Sequence, residues 1–190
     1  MSTAFQYLKI PYGEDIMAVL GSESMEVDKE KEHFHNLMEI AVCRMGSGEL
    51  MLGEKKYTYQ QGDVVVIPRN ISHMIITNTE EKSFWEYIYV KPNLFLEKVY
   101  KTEARKREWL MGEVEARAFL ISRKDAQSLF TEINLIMDQY RRREFEYRKS
   151  VSGLLFALFV EIVRINHREY QKPKFSKKMT SQNVDILGRA

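Results

Sequence analysis

Three histidines and one glutamate are the residues of this sequence best suited to chemistry. His33, His35 and Glu39 lie close together, and His73 follows a segment rich in valine that ends in proline and asparagine. Residues 33, 35 and 39 share one parity, so on an extended chain their side chains would leave the same face. Imidazole nitrogens and a carboxylate oxygen suit a divalent ion such as Zn²⁺, Ni²⁺, Mn²⁺ or Fe²⁺. We therefore predict a metal site formed by these four side chains.

The alternative interpretation of the same four residues is a polar interior without a metal. Buried imidazole and carboxylate groups are costly when they have no partner, so they would then hydrogen-bond to one another, to water or to an organic ligand. The sequence leaves both interpretations open.

Short strands separated by turns must position these side chains. We predict strands at residues 38–45, 49–52, 57–59, 64–67, 73–77 and 84–90, with glycines in several of the turns between them. The unbroken apolar run Val64–Ile67 indicates a strand buried on both faces. Two further strands, 5–10 and 16–20, are expected around Pro11 and Gly13, and residues 22–32 are expected to form a loop. Many short strands of this kind are typical of a β-sandwich or β-barrel.

The periodicity changes to that of helices after Pro92. A short helix is expected at 94–100, and Ser122–Asp125 resembles a capping box before an amphipathic helix that continues to Tyr140. A second long helix is predicted at about 146–170. This helix is apolar on two sides, so the barrel is expected to cover one side and a partner subunit the other.

Two motifs of this sequence resemble the signature motifs of the cupin superfamily. The first is HxHx3Ex6G from His33 to Gly46, and the second is Gx5PxNx2H from Gly62 to His73, with Asn70 where many cupins have glycine. Together with further residues, they resemble the N-terminal sensor domain of AraC-family transcriptional regulators over about residues 30–170. Those further residues are Gly46-Ser47-Gly48, Tyr57, Gly62-Asp63, Ile67-Pro68 and Trp85-Glu86-Tyr87-Ile88-Tyr89.

The resemblance implies a mainly β fold, a cupin-type double-stranded β-helix (jelly-roll) barrel followed by an α-helical hairpin. The expected organisation is a sensor barrel with an N-terminal arm at 1–92, a helical dimerisation segment at 93–170, and a linker at 171–190. That linker would lead to a helix-turn-helix DNA-binding domain that this chain lacks. DNA would be bound only through that missing domain.

The resemblance also implies a function and a set of contacts. It predicts a homodimeric bacterial transcription regulator, not an enzyme, that binds a small effector, such as a sugar, inside the barrel. The predicted effector-binding residues are His33, His35, Glu39, His73, Ile75, Trp85 and Tyr87. The predicted dimer interface consists of Val151, Leu155, Leu158, Ile162 and Ile165. A plain aromatic core remains the alternative for Trp85 and Tyr87.

Composition limits the other function classes. A net charge of +2 gives no argument for nucleic-acid binding by the whole chain, and the basic clusters at 101–107, 141–143 and 164–178 alternate with glutamate, as solvated faces do. The single cysteine, Cys43, excludes an intrachain disulfide. The N-terminus has no signal-peptide pattern, and the longest apolar run, Leu154–Val160, is short for a membrane span. We expect a cytoplasmic protein with no membrane partner.

Two competing hypotheses remain. The complete set of three histidines and one glutamate would also serve a small metal-dependent cupin enzyme, such as a dioxygenase or an isomerase. The long helical segment after the barrel favours the regulator over this enzyme. A barrel that serves only for dimerisation is the third hypothesis.

Overall fold

The computed structural model describes residues 3–24, 32–77 and 82–171. Ten strands and four helices lie in this part of the chain. The strands are β1 Ala4–Gln6, β2 Ile16–Ser24, β3 His33–His35, β4 Met38–Met45, β5 Ser47–Leu52, β6 Lys55–Gln60, β7 Val64–Ile67, β8 His73–Thr77, β9 Ser83–Val90 and β10 Phe119–Ile121. The helices are α1 Pro92–Val99, α2 Ala104–Val114, α3 Gln127–Arg142 and α4 Tyr147–Gln171.

The strands form two five-stranded sheets that enclose a barrel. The first sheet has the order β1-β3-β8-β5-β6 and the second has the order β10-β7-β4-β9-β2. Neighbouring strands are antiparallel, except that β1 runs parallel to β3. This arrangement confirms the predicted fold class, a mainly β barrel followed by helices.

The second sheet is buried on both faces, which explains its continuous apolar strands. In β4, Ile40 and Val42 face the helices, whereas Ala41 and Cys43 face the barrel interior. All four residues of β7 are buried, as the run Val64–Ile67 predicted. The molecule therefore has two hydrophobic cores that share this sheet, one inside the barrel and one beneath the helices.

The N-terminal arm lies along the first sheet. Its strand β1 pairs with β3, so that Ala4 lies opposite His33. Further along, the amide side chain of Asn36 accepts a hydrogen bond from the Leu8 backbone N–H at 2.8 Å and donates one to the Leu8 carbonyl at 3.0 Å. The Asn36 side chain thereby makes the pair of hydrogen bonds to Leu8 that a neighbouring strand would make. β2 reaches Ser24, so residues 22–24 are strand and not loop, while residues 25–31 of the expected loop lie outside the described residues.

Two elements after Pro92 differ from the sequence prediction. β10 pairs with β7, so the edge strand of the second sheet comes from the segment predicted to be purely helical. Helix α2 forms at Ala104–Val114, where no clear periodicity was visible. The Ser122 and Asp125 side chains do hydrogen-bond at 2.7 Å, but α3 begins only at Gln127. The expected linker falls almost entirely at 172–190, outside the described residues.

The face of α4 predicted to form the dimer interface is instead buried within the chain. Its side chains are at most 3% exposed and belong to the core beneath the helices: Val151, Leu155, Leu158, Ile162 and Ile165. The stripe packs in one core with α2, α3 and the second sheet, and burial of its apolar surface is favourable. These five side chains are therefore not accessible to a partner subunit.

Helix α4 is also the element that length and composition alone would allow to cross a membrane. The segment Tyr147–Arg168 has a mean hydropathy of 1.3 in its most apolar window, and half of that window is buried in the fold. Glu161 and Asn166 are buried on this helix, where Glu161 pairs with Arg164 and Asn166 bonds to the backbone of Glu113. Helix α4 is therefore buried in the way that a core helix of a folded domain is.

Truncation of a buried leucine on α4 tests this packing. We expect Leu155→Ala to lower the free energy of unfolding by about 2–5 kcal/mol, because the side chain is fully buried and its loss leaves a cavity. The matched control is Leu135→Ala on α3, where the side chain is 46% exposed and the cost should stay below about 1 kcal/mol. Urea denaturation measures both values, and equal small costs would contradict the placement of Leu155.

Candidate functional site

The three histidines and Glu39 meet at one end of the barrel, but by a different route from the one that parity suggested. His33 and His35 lie on β3 of the first sheet, whereas Glu39 lies on β4 of the second sheet. The chain bends between the two strands, so a single extended face does not carry the three side chains. His73 comes from β8, where it lies directly opposite His33.

The nitrogen atoms of the histidines form a compact cluster. One ring nitrogen of each of His33, His35 and His73 lies within 4.8 Å of the others. The Nε2 atom of His35 is 2.9 Å from Oε2 of Glu39, and Nε2 of His73 is 3.6 Å from the same oxygen. His35, Glu39 and His73 are at most 2% exposed. The structure thus brings all four predicted residues together.

Backbone carbonyls fix the orientation of two of the rings. Nδ1 of His35 lies 2.7 Å from the Leu37 carbonyl oxygen, and Nδ1 of His73 lies 2.9 Å from the Ile71 carbonyl oxygen. A carbonyl oxygen only accepts, so each Nδ1 must carry the proton and donate it. In the neutral rings the Nε2 atoms therefore have lone pairs, which point towards the Glu39 carboxylate. Such second contacts are typical of histidines that bind metals.

The charge state of the cluster depends on what lies between its donors. Burial raises the pKa of Glu39, but hydrogen bonds and charges from His35 and His73 outweigh it and lower the pKa to about 2. With protonated rings, the ionised carboxylate accepts from Nε2 of His35 at 2.9 Å. With neutral rings, a metal ion bound by the same nitrogen and oxygen donors would take the place of those protons. The donor set of imidazole nitrogens and one carboxylate fits Zn²⁺, Ni²⁺, Mn²⁺ or Fe²⁺.

The turn before His73 explains the departure of the second motif from glycine. Asn70 has a φ of 62°, in the left-handed region where asparagine is among the best-tolerated residues after glycine. Its backbone N–H donates to the His35 carbonyl at 2.9 Å. Asparagine therefore preserves the turn, and the backbone bond, which glycine would also make, ties the turn to the strand that carries two of the histidines.

A column of aromatic rings leads from this cluster into the barrel. Trp85, Tyr87 and Tyr89 alternate along β9 and face inwards, with Tyr87 and Tyr89 stacked at 5.9 Å between ring centroids. Tyr89 lies opposite Glu39 in the sheet, and its ring meets the edge of the His35 ring at 5.4 Å. The column and the polar cluster thus form one continuous surface.

Most predicted effector-binding residues face this interior. Ile75 is 4% exposed and packs in the barrel core with Trp85 and Tyr87. Sequence reasoning did not select Tyr89 or Tyr59. The parity of Tyr89 with Trp85 and Tyr87 would have found it, whereas the contact of Tyr59 with Trp85, at 4.9 Å between centroids, depends on pairing between distant strands.

The buried thiol of Cys43 also faces the barrel interior. Burial raises its pKa to about 12, and its Sγ donates to the Met45 carbonyl at 3.3 Å. A thiol held in its protonated form is a poor nucleophile. Cys43 therefore serves as a core residue here.

Comparisons with known proteins agree with this fold. The family model for the Cupin domain matches residues 23–90. No curated protein matches the chain. Among solved structures, ToxT from Vibrio cholerae aligns with 87% of this chain and 61% of its own at 10% identity, with a TM-score of 0.54. ToxT from strain SCE256 bound to an unsaturated fatty acid aligns with 86% of this chain and 58% of its own at 12% identity, with a TM-score of 0.52.

A weaker likeness involves an enzyme. A variant of oxalate decarboxylase OxdC from Bacillus subtilis covers 42% of this chain and 22% of its own at 18% identity, with a TM-score of 0.36. The chain thus spans about three fifths of the ToxT chains and about a fifth of the decarboxylase chain. At these identities, the ToxT likeness concerns the fold alone.

Removal of one histidine tests whether the cluster holds a metal. We expect His35→Ala to weaken Zn²⁺ or Mn²⁺ binding by about tenfold or more, because a buried ligand with a fixed Nε2 is lost. His167→Ala is the matched control, since His167 is exposed on α4 and pairs with Glu113. Competition with a chromogenic chelator measures the affinity. Equal affinity of both variants would contradict the site.

Proposed function

We propose that this chain is the effector-sensing and dimerisation domain of an AraC-type transcription regulator. The observation that carries the proposal is the continuous surface of the histidine–glutamate cluster and the aromatic column inside a barrel whose wall also holds the helices. A small molecule would bind along that surface. Control of DNA binding would require the C-terminal domain that the resemblance predicts beyond this chain.

The chemistry of the interior supports a ligand with both polar and apolar faces. The stacked rings of Tyr87 and Tyr89 suit the flat apolar face of a sugar or a similar metabolite. The neighbouring imidazoles and carboxylate suit its hydroxyl groups. A metal held by His33, His35, Glu39 and His73 would supply a Lewis acid that binds a ligand oxygen. The solved ToxT complex with a fatty acid shows that a protein of this fold binds a small molecule.

An ion-pair network around the buried Glu86 joins β9 to the helices. Glu86 lies between Trp85 and Tyr87 on β9, but its side chain faces the opposite side of the sheet. Its carboxylate accepts from Arg44 at 2.7 Å and from Arg141 on α3. A ligand that favours one position of β9 would therefore also favour one position of α3, as an effector must do to change a distant equilibrium.

Dimerisation through α4 remains part of the proposal, with a different face of the helix. Because the predicted stripe is buried, the available surface is the partly exposed stripe of Gly153, Ala157 and Val160. Small side chains allow two such helices to approach closely. A second copy of this chain is the occupant that the resemblance to AraC-type sensors implies.

Effector binding is tested with a panel of sugars and other metabolites. We expect Tyr87→Ala to weaken the binding of a panel hit by about tenfold, because one aromatic stacking contact contributes about 1 kcal/mol or more beyond area burial. Tyr12→Ala is the matched control, since the Tyr12 side chain is fully exposed. Isothermal titration calorimetry measures the affinity, and unchanged binding by the Tyr87 variant would place the ligand elsewhere.

Dimer formation is tested by introducing a charge on the exposed stripe. We expect Val160→Glu to shift the protein from dimer to monomer, since two carboxylates would face each other across the interface. Val99→Glu is the matched control, because Val99 is 44% exposed on α1 and lies outside the stripe. Sedimentation equilibrium measures the mass. A dimer retained by both variants, or a wild-type monomer, would reject this interface.

The rival function is a small metal-dependent cupin enzyme, and the four-donor cluster is the observation that favours it. Consumption of dioxygen by the protein loaded with Fe²⁺ or Mn²⁺, or turnover of a panel compound, would support the enzyme. Ligand binding without turnover would support the regulator.

A further inference from the structure

A second cleft lies at the seam between the two sheets, and no residue of the histidine cluster lines it. It has a volume of about 620 Å³, within the range of small-molecule sites. It opens where β6, the edge of the first sheet, faces β10, the edge of the second sheet, and the C-terminal half of α4 forms its third side. Its lining residues are Lys55, Tyr57, Arg117, Phe119, Leu120, Ile121, Ser122, Asp125, Ile165 and Arg168.

The guanidinium group of Arg117 is fixed in this cleft. Its Nε donates to Oδ1 of the fully buried Asn166 at 3.1 Å, and Nδ2 of Asn166 donates to the Glu113 carbonyl at 2.8 Å. The guanidinium also lies over the Phe119 ring, 5.1 Å from its centroid. Within the described part of the chain no carboxylate pairs with Arg117, so its two terminal amino groups keep their donors. An arginine oriented in this way is suited to bind a carboxylate or phosphate in a bidentate manner.

The other charges of the cleft are compatible with an anion. Lys55 is exposed on β6 and makes no ion pair among the described residues, whereas Arg168 pairs with Glu161. The one acidic residue of the lining, Asp125, accepts a hydrogen bond from Ser122 at 2.7 Å. Among the described residues, Arg117 and Lys55 therefore have no carboxylate partner, whereas the only carboxylate of the lining, that of Asp125, already accepts a hydrogen bond.

The floor of the cleft is apolar. Phe119 and Ile165 are buried at its base, and the partly buried Tyr57 and Leu120 pack against the core inside the barrel. The half-buried Tyr57, Leu120 and Ile121 supply the accessible apolar surface of the cleft. An apolar body attached to the anion would cover these side chains, and that burial is favourable.

We propose that this cleft binds a small molecule with a compact oxyanion, a carboxylate or a phosphate, on an apolar body. Arg117 is the principal anion ligand and Lys55 is the second. The cleft shares no lining residue with the histidine–glutamate cluster or the aromatic column.

Octanoate and octyl phosphate are the probes, and octyltrimethylammonium provides the same chain with the opposite charge. We expect the wild-type protein to bind one or both anionic probes and not the cation in isothermal titration calorimetry at low salt. Arg117→Gln should weaken binding by about tenfold or more, since a charge-assisted bidentate contact is lost. Arg117→Lys should restore only part of it, because lysine lacks the planar fork.

Neighbouring lysines on β6 provide the matched control. Lys55→Gln should weaken binding several-fold, whereas Lys56→Gln should not, because the Lys56 ammonium pairs with Glu49 at 2.7 Å, outside the cleft. Circular dichroism melts of Lys55→Gln and Arg117→Lys check that the variants compared are folded. The difference between the two probes distinguishes a carboxylate ligand from a phosphate ligand.

Three outcomes would overturn the proposal. The first is equal binding of the cationic and anionic probes, and the second is anion binding that neither Arg117→Gln nor Lys55→Gln weakens. The third is binding of a poly-glutamate peptide but of neither amphiphile, which would assign the cleft to an acidic protein segment. None of these outcomes bears on ligand binding inside the barrel, which is tested with Tyr87→Ala.

Discussion

Burial of the second sheet on both faces is the constraint on which the rest of the structure depends. Alternate residues of β4, β7 and β9 enter two different cores, so every side chain of these strands must suit the side to which it points. A shift by one residue would place Glu39 against the apolar helices and Ile40 beside the histidines. The same alternation that packs the helices therefore also places the carboxylate of the site.

Within the barrel, polar groups are concentrated at one end and aromatic rings extend from it. The Nδ1 atoms of His35 and His73 are held by backbone carbonyls, which directs the Nε2 atoms towards the Glu39 carboxylate. The buried carboxylate and imidazoles are thereby partnered with one another, and a proton or a metal ion between them would complete the set. The tyrosines beside it provide the apolar contact that a bound organic molecule needs.

The shared sheet also relates the barrel interior to the surface of the molecule. Glu86 follows Trp85 and precedes Tyr87, yet it lies on the other side of the sheet, where it binds Arg141 of α3. An ion pair as well as packed side chains therefore joins β9 to α3. The edges β6 and β10 differ from the shared sheet, because they are not paired with each other. A cleft with a cationic rim lies between them.

The sequence by itself determined the strands β4, β7 and β8, the residue types of the site and the amphipathic helix α3, because alternation, glycine turns and helical spacing are local signals. Only the tertiary structure decided that β10, a three-residue segment, completes the second sheet, since its strand conformation depends on pairing with β7. Tertiary contacts likewise decided which face of α4 is buried, because both sides of that helix are apolar and the sequence does not rank them. The site depends on the sequence for its residue types and on the tertiary structure for their placement. Its four residues come from three strands in two sheets and meet only when the barrel closes.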